Sequence, residues 1–113
     1  MLARPNRLTR AADYKAAVRR GRRSAGAHTI TYVRTTGDSG AARFGFIVSK
    51  QVGGAVVRNT VRRRLKAVSA KTLTDSLVHT GTDVVIRALP SAATARYAEL
   101  RDDVTRSLSR VRA

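Results

Sequence analysis

One segment of the chain combines apolar residues at helical spacing with a dense run of positive charge. It covers residues 50–71 and reads KQVGGAVVRNTVRRRLKAVSAK, with a pair of glycines near its start. On a helix of 100° per residue, one arc holds the apolar side chains Val57, Val61, Leu65 and Val68. A second arc holds Arg58, Asn59, Arg62, Arg63 and Lys66. The pattern predicts a helix over residues 55–71 that buries one face and presents fixed positive charge on the other.

The basic face of such a helix is either a solvated exterior or a contact surface for an anion. The chain has 23 Lys and Arg residues against seven Asp and Glu, a formal net charge of +16. A folded domain with this charge repels itself unless a polyanion or salt neutralises it. The charge balance therefore favours a polyanionic partner. Arg64 is the exception, because it falls beside the apolar arc, where its methylene groups can cover the edge of a core.

The length of 113 residues predicts a single domain with one hydrophobic core. Residues 1–8, which contain Pro5 and two arginines, are expected to form a flexible basic arm. Cysteine is absent, which excludes disulfides, thiolate metal sites and thiol nucleophiles. The longest apolar runs are strand-sized, and no secretory signal is recognisable at the N-terminus. These features predict a soluble cytoplasmic protein without a membrane partner.

The remaining pattern predicts a small α+β fold. Further helices are expected at residues 9–20 and 95–111, and strands at residues 28–35, 43–49 and 83–88. The order αββαβα predicts a two-layer sandwich with a sheet of three to four strands, one face of which stays open. The basic helix would be the crossover of a βαβ unit. Gly45, within the second strand, indicates a bulge or the close approach of another group.

The sequence offers little for catalysis by protein side chains. His28 and His79 are far apart in the chain and are not at a metal-ligand spacing. Asp102 and Asp103 are adjacent on a predicted helix and would point about 100° apart instead of sharing a proton. No nucleophile elbow, P-loop or dinucleotide fingerprint is present. We predict no catalytic residue, and the sequence leaves any metal site undetermined.

The stretch SKQVGGAVVRNTVRRRLKAV, residues 49–68, resembles the RNR segment of the bacterial ribonuclease P protein family. The flanking features occur in the same order as in that family: an N-R-L start at Asn6, an aromatic residue at Tyr14, and R-F-G-F-I-V-S-K at residues 43–50. The resemblance covers nearly the whole chain. It implies a protein subunit that binds a catalytic RNA and the 5′ leader of precursor tRNA and supports RNA-catalysed 5′ maturation of tRNA.

The resemblance also implies roles for individual residues. The catalytic RNA would contact Lys50, Arg58, Asn59, Arg62, Arg63 and Lys66. The 5′ leader would contact Tyr14, Val18, Arg20 and Tyr32. Two positions depart from the family pattern: Thr60 replaces a basic residue, and Val18 replaces an aromatic residue of the leader cleft. For Tyr14 and Tyr32, the alternative interpretation is a partly buried core tyrosine.

The same resemblance implies that Mg²⁺ is bound chiefly by the RNA, that no protein partner is required, and that the βαβ crossover is left-handed. The residues alone leave a second function open. A structural or ribosomal-type RNA-binding protein would use the same basic helix without any processing reaction.

Overall fold

The computed structural model of the protein describes residues 2–111, and this part of the chain contains three helices, four strands and two short 3-10 turns. The helices are α1 (Ala11–Arg20), α2 (Ala55–Thr74) and α3 (Tyr97–Val111). The strands are β1 (Arg22–Ala25), β2 (Thr29–Thr35), β3 (Arg43–Ile47) and β4 (Thr82–Ala88). The 3-10 turns are Arg4–Asn6 and Pro90–Ala93. The predicted α+β fold is confirmed.

The four strands form one mixed sheet in the order β1-β2-β4-β3. Strand β2 pairs antiparallel with both β1 and β4, whereas β3 and β4 are parallel. Because α2 lies between β3 and β4 in the sequence, it is the crossover that the sequence predicts. The left hand of this crossover stays a prediction from the family resemblance.

The main core lies between one face of the sheet and helices α2 and α3. Phe44, Val84 and Ile86 contribute the strand side of this core, and each is at most 1% exposed. Helix α2 contributes the buried residues of its apolar arc, such as Leu65. Helix α3 contributes residues such as Val104. The periodic apolar residues of both helices are therefore buried against the same face of the sheet.

Helix α1 covers part of the opposite face, so the prediction of one fully open sheet face is wrong. A second apolar cluster joins Leu8, Ala17, Tyr32 and Val85 on this side, with Tyr14 and Val18 packed against it. A Cβ atom on Gly45 would lie 2.5 Å from the Tyr14 ring, so only glycine admits the ring this close to β3. The Tyr14 hydroxyl in turn accepts a hydrogen bond of 3.3 Å from the Phe46 N–H. The close approach that the sequence predicts at Gly45 is thus made by Tyr14.

The sequence pattern does not predict strand β1. A buried carboxylate holds the β1–β2 connection against α3. Asp103 accepts hydrogen bonds from Ala27 N (2.8 Å), His28 N (3.1 Å) and Thr29 Oγ1 (2.7 Å) and is 5% exposed. Its neighbour Asp102 is exposed, which confirms that the two carboxylates point in different directions.

A second buried carboxylate ties strands β3 and β4 together. Asp83 is 1% exposed and accepts hydrogen bonds of 2.9 Å from both Nε and Nη2 of Arg43. These hydrogen bonds to Asp83 raise the pKa of Arg43. Arg43 also lies 3.5 Å from Asp13 of α1. Arg43 is therefore engaged within the fold and is not available as a free cation.

The N-terminal arm is docked along the outer edge of β3, although the sequence predicts a flexible arm for residues 1–8. Leu8 N–H donates to Phe44 O at 2.8 Å, and Asn6 Nδ2 donates to Ala42 O at 2.7 Å. Leu2 is only 2% exposed and belongs to the main core. Burial of Leu2 and pairing of the arm with a free strand edge outweigh the loop-forming effect of Pro5. Residue 1 lies outside the described residues.

Candidate nucleic-acid interface

The basic arc of α2 faces away from the core along three turns of the helix. Asn59, Arg63 and Lys66 are exposed, and Arg58 and Arg62 are half-buried. The apolar arc on the reverse side seats the helix, since Val61, Leu65 and Val68 are completely buried. A helix packed in this way fixes the backbone positions of its array of cationic residues relative to one another, which lowers the entropy cost of meeting a rigid anion.

The protein orients one arginine of the array, Arg62, and leaves a buried donor of another, Arg58, without a partner. Arg62 Nη1 donates to Asn59 Oδ1 at 3.1 Å, and Arg62 Nη2 lies 3.5 Å from Val48 O. The Nε of Arg58 is buried and lacks a hydrogen-bond acceptor among residues 2–111. A buried donor without a partner is costly.

Two residues of α2 lie outside the array, as the helical pattern predicts. Arg64 Nη1 donates to Ala95 O at 2.9 Å, so this guanidinium fastens α2 to the segment before α3. Thr60 Oγ1 donates to Val56 O at 3.0 Å and so bonds back to its own helix. The substitution of a basic residue by Thr60 therefore leaves the basic face intact.

A groove lies between this basic face and the N-terminal arm, with a volume of about 490 Å³. Its lining residues are Leu2, Arg7, Asn59, Arg62, Arg63, Lys66 and Ala67. Four of these seven are cations and none is a carboxylate. The sequence pattern does not predict Leu2 and Ala67 as lining residues, because nothing in the local pattern shows that the arm returns to α2.

The structure places Lys50 away from this groove, although the family resemblance groups it with the α2 residues. Lys50 is exposed and lines a second groove of about 510 Å³ with Ile30, Ile47 and Arg87. This groove lies on the part of the sheet face that carries Ile30 and Ile47, beyond the core of the α1 cluster. The sequence pattern does not mark Arg87 as a site residue, although it is the one cation of the strand predicted at residues 83–88.

Three of the four predicted leader residues lie together where α1 packs on the sheet. Tyr14 and Val18 are half-buried and pack against Tyr32, which is 5% exposed. The guanidinium carbon of Arg87 lies 6.0 Å from the centre of the Tyr32 ring, at the limit of a cation–π contact. Tyr32 is thus a core tyrosine that supports Arg87, and the accessible surface here belongs to Tyr14, Val18 and Arg87.

The fourth predicted leader residue, Arg20, lines a different depression. It is exposed near the end of α1 and shares this depression with Ala12, Lys15, Ala16 and Arg19. The structure therefore groups Arg20 with the other cations of α1, apart from the cluster around Tyr32.

No group of three or more His, Cys, Asp or Glu within residues 2–111 is arranged to hold a metal ion. The two most buried carboxylates are engaged elsewhere, Asp83 by Arg43 and Asp103 by the β1–β2 connection.

Within residues 2–111, no helix is both long and apolar enough to cross a bilayer.

Comparison with known proteins places this arrangement in a family. The Ribonuclease P family matches residues 2–112 of the chain. The ribonuclease P protein component of Clavibacter michiganensis is 46% identical over 110 residues, which cover 97% of this chain and 96% of the relative. That of Acidothermus cellulolyticus is 44% identical over 112 residues, covering 98% and 92%.

Solved structures agree with the sequence comparison. The RNase P protein of Staphylococcus aureus superposes with a TM-score of 0.79 at 21% identity, covering 92% of this chain and 93% of that one. The RNase P protein of Thermotoga maritima also gives 0.79, at 18% identity, covering 93% and 96%. These two likenesses show a shared fold, and the family match and the close relatives show that the chain belongs to the ribonuclease P protein family.

Proposed function

We propose that this protein is the RNA-binding subunit of a ribonuclease P ribonucleoprotein and that its two grooved surfaces serve two RNA ligands. The basic face of α2 binds the catalytic RNA. The sheet surface beside α1 binds the 5′ leader of precursor tRNA. Family membership supports the general role, and the separation of the two surfaces supports the division of labour.

The fixed cation array on α2 is the observation that carries the proposal. Arg58, Arg62, Arg63 and Lys66 are presented by a single helix whose reverse side is buried in the core. RNA phosphates are spaced along a backbone, so a rigid row of cations can neutralise several of them without reorganising. Arginine adds bidentate hydrogen bonding to phosphate oxygens.

The leader surface suits a single strand of variable sequence. Tyr14 offers an aromatic face, whereas Lys50 and Arg87 supply charge at the groove. Stacking and backbone charge contacts bind single strands with little sequence preference. Val18, in place of an aromatic residue, reduces the stacking surface.

In this proposal the protein does not cut the RNA. Mg²⁺ held by the RNA partner supplies activation of water for phosphodiester hydrolysis. The protein side chains neutralise phosphate repulsion, hold the RNA fold and extend the contact to the substrate along the leader. A cytoplasmic location and the lack of a required protein partner belong to the same proposal.

Reconstitution tests the function directly. The protein is added to the ribonuclease P RNA at low Mg²⁺, and 5′ cleavage of a precursor tRNA is measured. We expect the protein to raise cleavage by the RNA and to give no cleavage by itself. Arg62→Ala should need more protein for the same effect, whereas Arg101→Ala, which removes one charge from the exposed side of α3, should behave as wild type.

Two results would contradict the proposal. Cleavage by the protein without RNA would indicate a protein nuclease. Binding of the RNA with no gain in cleavage at any Mg²⁺ concentration would indicate a structural RNA-binding protein.

A further inference from the structure

The groove between the N-terminal arm and α2 has more room than a phosphate contact requires. Phosphate binding needs only cations at a surface, as on the exposed part of α2. The volume of about 490 Å³ falls within the range of about 300–1,000 Å³ that is typical of sites for small organic ligands. The groove therefore has space for a flat organic group next to the cations.

The walls of the groove offer apolar surface. Leu2 bounds one side but is only 2% exposed and presents little surface of its own, and Ala67 adds a methyl group on the α2 side. The methylene groups of Arg63 and Lys66 add further apolar surface below their charges. Such a surface suits the face of a nucleobase, which binds single-stranded sites by stacking.

The groove is also shaped in advance. Arg7 donates from Nε and Nη2 to Leu2 O at 3.1 and 2.9 Å, which fixes the turn of the arm. Asn59 accepts from Arg62 at 3.1 Å through its Oδ1, so its amide N–H₂ is left to donate to a ligand. A preformed wall with one oriented hydrogen-bond donor is suited to the polar edge of an organic group, whereas a simple anion needs only positive charge.

We propose that this groove receives one unpaired nucleobase of the partner RNA, with the neighbouring phosphates on Arg63 and Lys66. The positive charge of the lining residues favours an anionic chain as the ligand. The apolar walls favour an unpaired base of that chain. The inference rests on the proposed function, because it places the base within the surface that binds the catalytic RNA.

Filling the groove tests this inference without removing a cation. Ala67→Leu places a larger apolar side chain in the groove at an exposed helical position where both residues favour a helix. The matched control is Ala98→Leu, the same change at an exposed position of α3. Binding of the ribonuclease P RNA is measured over a series of salt concentrations, and thermal unfolding of each variant is recorded.

Ala67→Leu should weaken RNA binding about tenfold relative to Ala98→Leu, because a stacked base contributes on the order of 1–3 kcal/mol. The slope of log K against log salt should stay at the wild-type value, because no phosphate contact is lost. In chemical probing of the RNA, one nucleotide that the wild-type protein protects should become reactive with Ala67→Leu. Equal binding by the two leucine variants, or an identical protection pattern, would overturn the inference.

The outcomes separate this inference from the proposed function. If Arg62→Ala and Arg63→Ala also leave the salt slope unchanged, the basic face of α2 does not bind this RNA, and the proposed function fails. If the arginine variants lower the slope but Ala67→Leu binds as tightly as its control, only the nucleobase site is refuted. A loss that is equally large for a fully duplex RNA would show that the groove takes backbone and would refute it as well.

Discussion

Alanine variants of two adjacent arginines of α2 can distinguish an arginine that binds RNA from one that stabilises the fold. Arg63 is exposed, lines the groove beside the arm and makes no hydrogen bond or ion pair to the rest of residues 2–111. Arg64 is half-buried and donates to Ala95 O at 2.9 Å. Replacing each by alanine removes the same charge from neighbouring positions, so the two variants are matched in net charge.

The two variants should change different quantities: Arg63→Ala the salt dependence of RNA binding, and Arg64→Ala the free energy of unfolding. Loss of one phosphate contact in Arg63→Ala lowers the salt slope by about 0.7–0.9. Between 50 and 200 mM salt, the affinity difference from wild type should therefore shrink about threefold. The free energy of unfolding should change by less than about 0.5 kcal/mol, because the side chain is exposed and unpaired within the fold. Arg64→Ala should instead lose about 1–2 kcal/mol of stability through its hydrogen bond and packing, with the salt slope unchanged.

Fluorescence titration of labelled ribonuclease P RNA at five salt concentrations measures the slopes, and urea unfolding measures the stabilities. All titrations are done at a temperature where both variants are folded. An unchanged slope for Arg63→Ala, or an equal fall of slope for Arg64→Ala, would refute the assignment of the basic face.

Three further predictions concern the fold and the second surface. Asp103→Ala leaves three donors of the β1–β2 connection without an acceptor and should cost about 3–5 kcal/mol in urea unfolding; the adjacent exposed Asp102→Ala should cost less than about 1 kcal/mol, and equal costs would contradict the role of the buried carboxylate. Gly45→Ala should displace the Tyr14 ring and lower stability by about 1–3 kcal/mol, measured by thermal unfolding, because the added Cβ would lie 2.5 Å from the ring; an unchanged melting temperature would show that the ring moves freely. Arg87→Ala should raise the apparent KM for a precursor tRNA with a leader about fivefold, equivalent to about 1 kcal/mol of cation contact, and leave a leaderless substrate unaffected; equal losses for both substrates would place Arg87 outside the leader surface.

Local spacing along the chain is enough to define the two faces of α2. Side-chain direction on a helix depends on position modulo the helical repeat, so the buried Val61 and Leu65 and the exposed Arg63 and Lys66 follow from spacing alone. The same local logic predicts a strand at residues 83–88, and residues 83–86 are almost inaccessible to solvent, as is typical of a strand buried on both faces. The RNR segment lies within one helix and the turn before it, which explains why the family could be named before any contact was known.

How these elements share surfaces depends instead on contacts between segments that are distant in the chain. Asp103 and Thr29 are 74 positions apart, and no local pattern connects this carboxylate to the hairpin that it holds. Strand β1 is four residues long and exists because β2 offers it a pairing edge. The arm docks because β3 has a free edge and the core has room for Leu2, and this docking turns a basic helix face into a groove. Periodicity is a property of neighbouring residues, whereas pairing edges, buried acceptors and grooves arise between segments that meet only in the folded chain.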